Sequence, residues 1–346
     1  MSGWWKGSDK GVRVLVVYNV VNQLSKGQAE DLIAEQEVAD SAEAITQGLI
    51  SRGYDAIKVP VIDDLAAALA PYDPAECVVF NLIESLDNGR IPETHAAALL
   101  ENRGFTYTGS PSETLARAMN KVWAKEILMS HGLPIPQGQI FTTPRQRFRL
   151  AFPAIVKPVA EDASIGITID AVVSSLSNLR RRVAYVLETY RQPALVEEFI
   201  AGREINVAIW GNDPPEVLPL SELDFSLVEN PLHRVCSYET KWIEGSYGWN
   251  HIHVVCPVVL EPELRARVER IALDCYQVMG CRDYARVDMR LRGEEIYILE
   301  VNPNPALLSG GFVRSSGVAG YDFAATVARI VEFALARRSV GGSGRT

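Results

Sequence analysis

Two adjoining stretches near the C-terminus decide how this sequence is read: Tyr284-Ala285-Arg286-Val287-Asp288-Met289-Arg290 and, beyond Arg292-Gly293, Glu295-Ile296-Tyr297-Ile298-Leu299-Glu300-Val301-Asn302. Residues 283–290 and 295–301 each read as a β-strand, with the glycine turn between them. Alternation along a strand places Arg286 and Asp288 on one face, and Glu300 and Asn302 on one face. If the strands are antiparallel neighbours, four polar side chains converge from an otherwise apolar sheet. Asp288, Glu300 and Asn302 are hard oxygen donors, the kind magnesium takes alongside phosphate oxygens and water. A polar stripe facing solvent, or an ion pair between Asp288 and Arg286, satisfies the same alternation.

Two earlier segments carry polar groups in unusual settings. In Phe152-Pro153-Ala154-Ile155-Val156-Lys157-Pro158 a lysine ends a buried strand, which is costly unless an anion meets it. The turn that follows, Asp162-Ala163-Ser164-Ile165-Gly166-Ile167, is built of small residues and can present backbone N–H groups to phosphates. Alone, it also fits a plain hairpin. Further on come Leu195-Val196-Glu197-Glu198-Phe199-Ile200 and Gly202-Arg203-Glu204. In isolation, neighbouring glutamates read as a solvated face.

Around these segments the chain alternates strand and helix. Residues 12–18 form a valine-rich apolar run, as expected of a parallel strand buried on both faces. A helix over 29–52 ends at Gly53, strands follow at 54–61 and 77–83, and Pro92 opens a helix that stops at Gly104. This is the pattern of a doubly wound parallel α/β domain. Leu115, Met119, Val122, Trp123 and Ile127 recur at helical spacing and predict one helix with a buried face. Later helices are predicted over 177–190, from Pro262 to Gly280, and through Phe323, Val327, Ile330, Val331 and Ala334.

Composition narrows the function classes. The chain has 346 residues, enough for two or three packed subdomains, with 47% hydrophobic and 22% charged residues. A net charge of −9 gives no electrostatic footprint for nucleic acid or anionic membrane. No apolar run reaches the roughly 18 residues of a membrane-spanning helix, and the first ten residues lack the apolar core of a secretory signal. The expected location is the cytoplasm. Cys77, Cys236, Cys256, Cys275 and Cys281 lack paired close spacing and read as reduced, buried thiols. His251 and His253 share a strand face, but a loop or solvent position suits them better than metal binding. No Ser–His–Asp arrangement or zinc-type cysteine cluster is visible.

The order of these motifs (lysine strand, small-residue loop, Glu-Glu-Phe-Ile, Gly-Arg-Glu, Arg-Val-Asp, Leu-Glu-Val-Asn-Pro) resembles the ATP-grasp enzymes, and the wider chain resembles the D-alanine–D-alanine ligases. The likeness starts at Glu35-Gln36-Glu37-Val38 and passes through Tyr107-Thr108-Gly109-Ser110 and Met119-Asn120-Lys121. It implies an α/β, three-subdomain ATP-grasp fold: an N-terminal α/β substrate domain at 1–115, a lid subdomain at 116–205, and a catalytic subdomain at 206–338. The nucleotide site would lie between the last two, which are α+β. A disordered tail would occupy 339–346.

The resemblance also implies roles. Lys121 and Lys157 would hold the nucleotide phosphates, with the loop carrying Ser164 and Gly166 closing over them. Glu197 and the backbone near Ile200 would meet the adenine edge, Glu198 would belong to the ATP site, Phe199 and Leu299 would flank the base, and Glu204 would meet the ribose. Lys241 would approach the terminal phosphate. Asp288, Glu300 and Asn302 would hold two magnesium ions, Glu300 bridging, with manganese able to substitute. Arg286 would stabilise the oxyanion formed when an amine attacks an acyl phosphate, and Glu37 would meet the first substrate's ammonium. The implied enzyme is a homodimer that joins a small amino or carboxylic acid to an amine at the expense of ATP.

In the substrate pocket the chain departs from the family. The family's serine and tyrosine align with Ala163 and Trp242, its histidine segment with Asn81-Leu82-Ile83-Glu84 and onward to Gly89, and its carboxylate-binding serine with Gly311. Losing three hydroxyl partners and the histidine changes what the site can recognise. The first substrate is therefore expected to differ from D-alanine, with Glu37, Glu84, Trp242, Gly311 and Arg314 as its candidate surroundings. A strict D-alanine–D-alanine ligase and a nucleotide-binding module without turnover are the alternatives.

Overall fold

Val14 and Val16 face one side of the first strand, β1 (Arg13–Asn19), Leu15 and Val17 the other, and all four are fully buried in two different cores. The apolar run is thus a parallel strand covered on both faces. The structure is a computed structural model that describes residues 11–20, 32–62, 64–87, 91–308 and 310–341.

The chain continues through α1 (Leu32–Ser51), β2 (Ala56–Val61), α2 (Leu65–Leu69) and β3 (Cys77–Leu82). A two-residue ladder, β4 (Ser85–Leu86) with β5 (Ile91–Pro92), leads into α3 (Glu93–Asn102) and β6 (Thr106–Tyr107). The strands form a parallel sheet in the order β2-β1-β3-β6, the doubly wound unit expected from the sequence. Residues 88–90, within the segment aligned to the family's histidine loop, lie outside the described residues.

Next come α4 (Ser112–Met119) and α5 (Lys121–Ser130). The single helix predicted through residues 115–127 is therefore two. Asn120 breaks it by adopting an extended backbone, and its side chain caps α5 by accepting from Val122 N and Trp123 N. Trp123, expected on the buried face, is 45% exposed. A second sheet, antiparallel and ordered β7-β10-β8-β9, follows, made of β7 (Gly138–Phe141), β8 (Ala154–Pro158), β9 (Val172–Val173) and β10 (Ala194–Glu198), with α6 (Leu176–Thr189) packed on it.

The third sheet uses β11 (Arg203–Trp210), β12 (Glu216–Val217) and β13 (Ser221–Asp224). After the short helices α7 (Tyr238–Trp242) and α8 (Tyr247–His251) it gains β14 (His253–Val255). The helix α9 (Pro262–Met279) ends on Gly280 in the left-handed conformation and leads to β15 (Tyr284–Arg292) and β16 (Glu295–Asn302). The order is β14-β13-β11-β15-β16, antiparallel, with β12 added on β11. Two helices close the chain, α10 (Gly311–Val318) and α11 (Phe323–Gly341).

The packing draws different lines from the expected boundaries. The break at 115/116 falls inside α4, and the break at 205/206 falls inside β11, which pairs with β15 along its whole length. The natural joint is Gly202, where a side chain would collide with the Leu291 carbonyl, its Cβ only 1.8 Å from that oxygen. Ala124 and Leu128 of α5 are buried in the core of the third sheet. Val327, Ile330, Val331 and Ala334 of α11 pack back against Ala42, Ile45 and Leu49 of α1. The helix α11 also runs to Gly341, into the expected tail, and residues 342–346 lie outside the described residues.

Candidate active site

A cleft lies between the second sheet and the third. Its floor is the polar face of the third sheet. Strand alternation aims Glu204 and Asn206 from β11, Arg286, Asp288 and Arg290 from β15, and Glu300 and Asn302 from β16 into it. Asp288 pairs with Glu300 and Arg286 with Asn302 across the ladder, so the antiparallel arrangement holds. A register shift between Asp288 and Met289 leaves Leu299 as an extra residue on β16, and this bulge brings Leu299 to the cleft as well. The roof is Ile155 and Lys157 of β8 together with Glu197, Glu198, Phe199 and Ile200 at the end of β10.

The polar groups of the floor are tightly paired. Arg286 donates from Nε and Nη2 to the two oxygens of Asp288, at 2.7 and 2.8 Å. Asn206 and Asn302 each donate an amide N–H to the same carboxylate, at 2.8 and 2.9 Å. Lys121 Nζ lies 2.8 Å from Glu300 Oε1. Burial works against both charges of that pair, but each partner outweighs it, raising the Lys121 pKa and lowering that of Glu300. Arg290 grips Glu204 Oε2 with two N–H groups, at 2.9 and 2.8 Å, and donates to the Ile200 carbonyl at 2.9 Å. The floor and the end of the roof are joined there.

Under the roof lies a triad. Glu197, fully buried, is 2.8 Å from Lys125 Nζ and 3.0 Å from Lys157 Nζ. Burial opposes its charge, but the two ammonium groups prevail and its pKa is lowered. Burial dominates at Lys125, whose pKa is lowered too.

Two loops close one side of the cleft. Ser164 Oγ donates to the Cys236 carbonyl at 3.0 Å, Tyr238 N to the Ile167 carbonyl at 2.7 Å, and the Trp242 indole to the Ala163 carbonyl at 3.0 Å. Lys241 lines the cleft, its Nζ 4.9 Å from the centre of the Trp242 ring. Burial pushes the Cys236 thiol up to about 11, so it stays protonated.

Most of the residues singled out by sequence therefore meet here: Lys157, Ser164, residues 197–200, Glu204, Lys241, Arg286, Asp288, Leu299, Glu300, Asn302 and Gly311 line the cleft, and Lys121 joins them through Glu300. Gly166 stands behind the loop, where its carbonyl accepts from Arg182 at 2.5 Å. Glu37 and Glu84 instead line a second, smaller cavity, together with Asn81, Glu93 and Asn304. Trp242 acts on the loop rather than on the cleft wall. Arg314 is exposed and lines neither space, because its position on α10 points away from the floor. Asn206, Arg290 and Lys125 were missed. Each was within reach of the same spacing rules: Asn206 follows Glu204 by two along a strand, Arg290 follows Asp288 by two, and Lys125 follows Lys121 by four along a helix.

Among the described residues no three His, Cys, Asp or Glu side chains gather where they could share a metal ion. Two carboxylates and one amide oxygen do converge at Asp288, Glu300 and Asn302. That sparse, hard-oxygen set fits magnesium sharing its shell with phosphate and water.

The chain is similar to known proteins over most of its length. Residues 135–332 match the family model described as D-ala D-ala ligase C-terminus. A D-alanine–D-alanine ligase of Desulforudis audaxviator is 33% identical over 88% of this chain and 96% of its own length. One from Carboxydothermus hydrogenoformans is 31% identical over 89% and 96%. An uncharacterized protein, y4sG, of Sinorhizobium fredii is 34% identical over 77% and 76%. The crystal structure of D-alanine–D-alanine ligase from Bacillus anthracis complexed with ATP superposes with a TM-score of 0.73 at 20% identity, covering 95% of this chain and 99% of that one.

Proposed function

The chain belongs to the D-alanine–D-alanine ligase family, and from that premise we propose that it is an ATP- and magnesium-dependent carboxylate–amine ligase whose first substrate is not D-alanine. One observation carries the proposal: Arg286, Asp288, Glu300 and Asn302 converge in a cleft beneath a lysine- and glutamate-lined roof.

The chemistry needs these parts. A carboxylate resists amines because it has no good leaving group. In the proposed reaction its oxygen attacks the terminal phosphorus of ATP, the bond to ADP breaks, and an acyl phosphate forms. The amine then attacks the acyl carbon, phosphate leaves, and an amide remains. Lys121, Lys157 and Lys241 bind and neutralise the phosphates. Phosphoryl transfer is mainly a matter of such positioning. Asp288, Glu300 and Asn302 would hold magnesium, which would supply further charge neutralisation on the phosphate oxygens. Arg286 meets the oxyanion that develops as the amine attacks. Glu197 and Ile200 hold the adenine edge and Glu204 the ribose, with Arg290 fixing Glu204 in place. Glu37 orients the first substrate's ammonium in the second cavity.

Ala163, Trp242 and Gly311 support a substrate other than D-alanine. The Trp242 indole is spent on the Ala163 carbonyl, and a side chain at Gly311 would sit 3.0 Å from Ser221 Oγ. A phosphate-release screen over pairs of D- and L-amino acids, with the product mass measured, tests the reading. Efficient D-alanyl-D-alanine formation at millimolar D-alanine would overturn the substrate assignment. Absence of turnover with every pair would overturn the ligase assignment. The homodimer and the cytoplasmic location belong to the same proposal, and sedimentation of the purified chain tests the first.

A further inference from the structure

Lys125 belongs to α5 and is not among the residues lining the cleft, yet it is buried where the roof meets the floor. Its Nζ donates to the Leu299 carbonyl at 3.2 Å and lies 3.5 Å from that of Ile298, both in the bulged stretch of β16. The same ammonium stands 2.8 Å from Glu197 Oε1, but that oxygen has no hydrogen-bond partner among the described residues. The N–H groups of Lys125 are thus spent on β16, and toward Glu197 it presents charge alone. Lys157, by contrast, donates to Glu197 Oε2 at 3.0 Å.

Glu197 therefore differs from an ordinary buried carboxylate. Burial opposes its charge, two cations offset that cost and hold its pKa low, and one of its oxygens still keeps its acceptor capacity. A buried acceptor left open is costly, and such groups are normally satisfied. Glu197 lines the cleft, so the missing partner is a donor on whatever enters. An exocyclic amino group, such as that at C6 of adenine, supplies one. The 6-oxo group of hypoxanthine would set oxygen against oxygen, and a site built to hydrogen-bond its ligand rejects an analogue that cannot pair.

We infer that Lys125 is a positioning residue for base preference: it balances the charge of Glu197 without consuming Oε1 and ties that carboxylate to the Leu299 bulge, so the site demands an amino group from the base. The inference rests on the reading of Glu197 as the adenine partner. The full-length chain, with magnesium and without amino acids, is titrated calorimetrically with ATP and with ITP. Wild type should bind ATP at least about tenfold more tightly than ITP, the worth of one charge-assisted contact. Lys125→Met, which keeps the length of the side chain and removes its charge, should bring that preference to within about threefold, chiefly by weakening ATP. Lys125→Gln, a neutral polar replacement, should do the same, which keeps the test available if one variant fails to fold. A merely structural role would weaken both nucleotides alike, and that result, or an unchanged preference, overturns the inference. Glu197→Gln separates the two readings. Loss of the preference there but not in the Lys125 variants overturns the inference alone. A preference kept in Glu197→Gln, or absent from wild type, overturns the adenine reading and the inference with it.

Discussion

Arg286 reaches two residues along its own strand to hold both oxygens of Asp288, at 2.7 and 2.8 Å. The guanidinium proposed to meet a developing negative charge is thus already positioned by a carboxylate proposed to hold magnesium. Arg286→Ala should lower turnover by about 10²–10³. Arg286→Lys should recover little of it, since an ammonium cannot grip a carboxylate through two parallel bonds. ATP affinity, measured by titration, should change far less than turnover in both variants.

Asn206 touches Asp288 and, in the proposed site, stands one step behind the metal. Outer partners of this kind typically change metal affinity by about 10–100-fold. Asn206→Ala should accordingly raise the magnesium concentration for half-maximal ATP turnover by about tenfold, with turnover restored at saturating magnesium. Chelation with EDTA should abolish wild-type turnover, and added magnesium should restore it.

Glu197 holds two buried lysines. Glu197→Gln leaves both ammonium groups without their counter-charge and should destabilise the fold by about 3–5 kcal/mol in urea unfolding at pH 7. Because the folded-state pKa of Glu197 is lowered, its stabilising contribution is complete above the unfolded carboxylate pKa and is lost as pH falls through the folded value. The gap between wild type and variant should therefore narrow in acid.

Glu93 has the opposite sign. Its carboxyl, held at about 8 when folded against 4.5 when free, binds more protons in the folded state between those values, so stability falls as pH rises through that window. Glu93→Gln removes this penalty. Discounted for partial exposure of the side chain, the variant should be more stable than wild type by about 1–3 kcal/mol at pH 8 and nearly equal to it at pH 4.5, by thermal or urea unfolding.

The Trp242 indole bond to the Ala163 carbonyl is one of three that tie the two cleft loops together. Trp242→Phe keeps a ring beside Lys241 but loses this bond, worth about 0.5–1.5 kcal/mol. The KM for ATP should rise by about two- to tenfold. An unchanged KM would mean that the bond contributes nothing to closure over the nucleotide.

How much of this was written in the sequence depends on how far apart the cooperating residues lie. The buried strand at residues 14–17 follows from a local apolar run and the paired strands carrying Asp288 and Glu300 from local alternation, and the structure has both. The bulge that turns Leu299 to the cleft breaks that alternation, and nothing in the apolar run Ile296-Tyr297-Ile298-Leu299 marks it. Asn120 has the chemistry of a helix cap, yet periodicity on both sides of it suggested continuity. That Glu93 and Asn81 line one cavity was invisible, because tertiary packing around β3, β5 and α3 rather than spacing brings them to it. Arg314 was placed by proximity in sequence to Gly311, and the turn of α10 carries it to solvent.

The passage from β10 to β11 spans only residues 199–202, and Gly202 presses so closely on the Leu291 carbonyl that it admits no side chain. A tether this short lets the smaller sheet tilt but hardly slide. Lys157 and Glu197 would then travel as fixtures on one stiff plate about a common axis. Whatever enters the slot must suit both together, so thickness, and not only hydrogen-bonding pattern, becomes a criterion for admission.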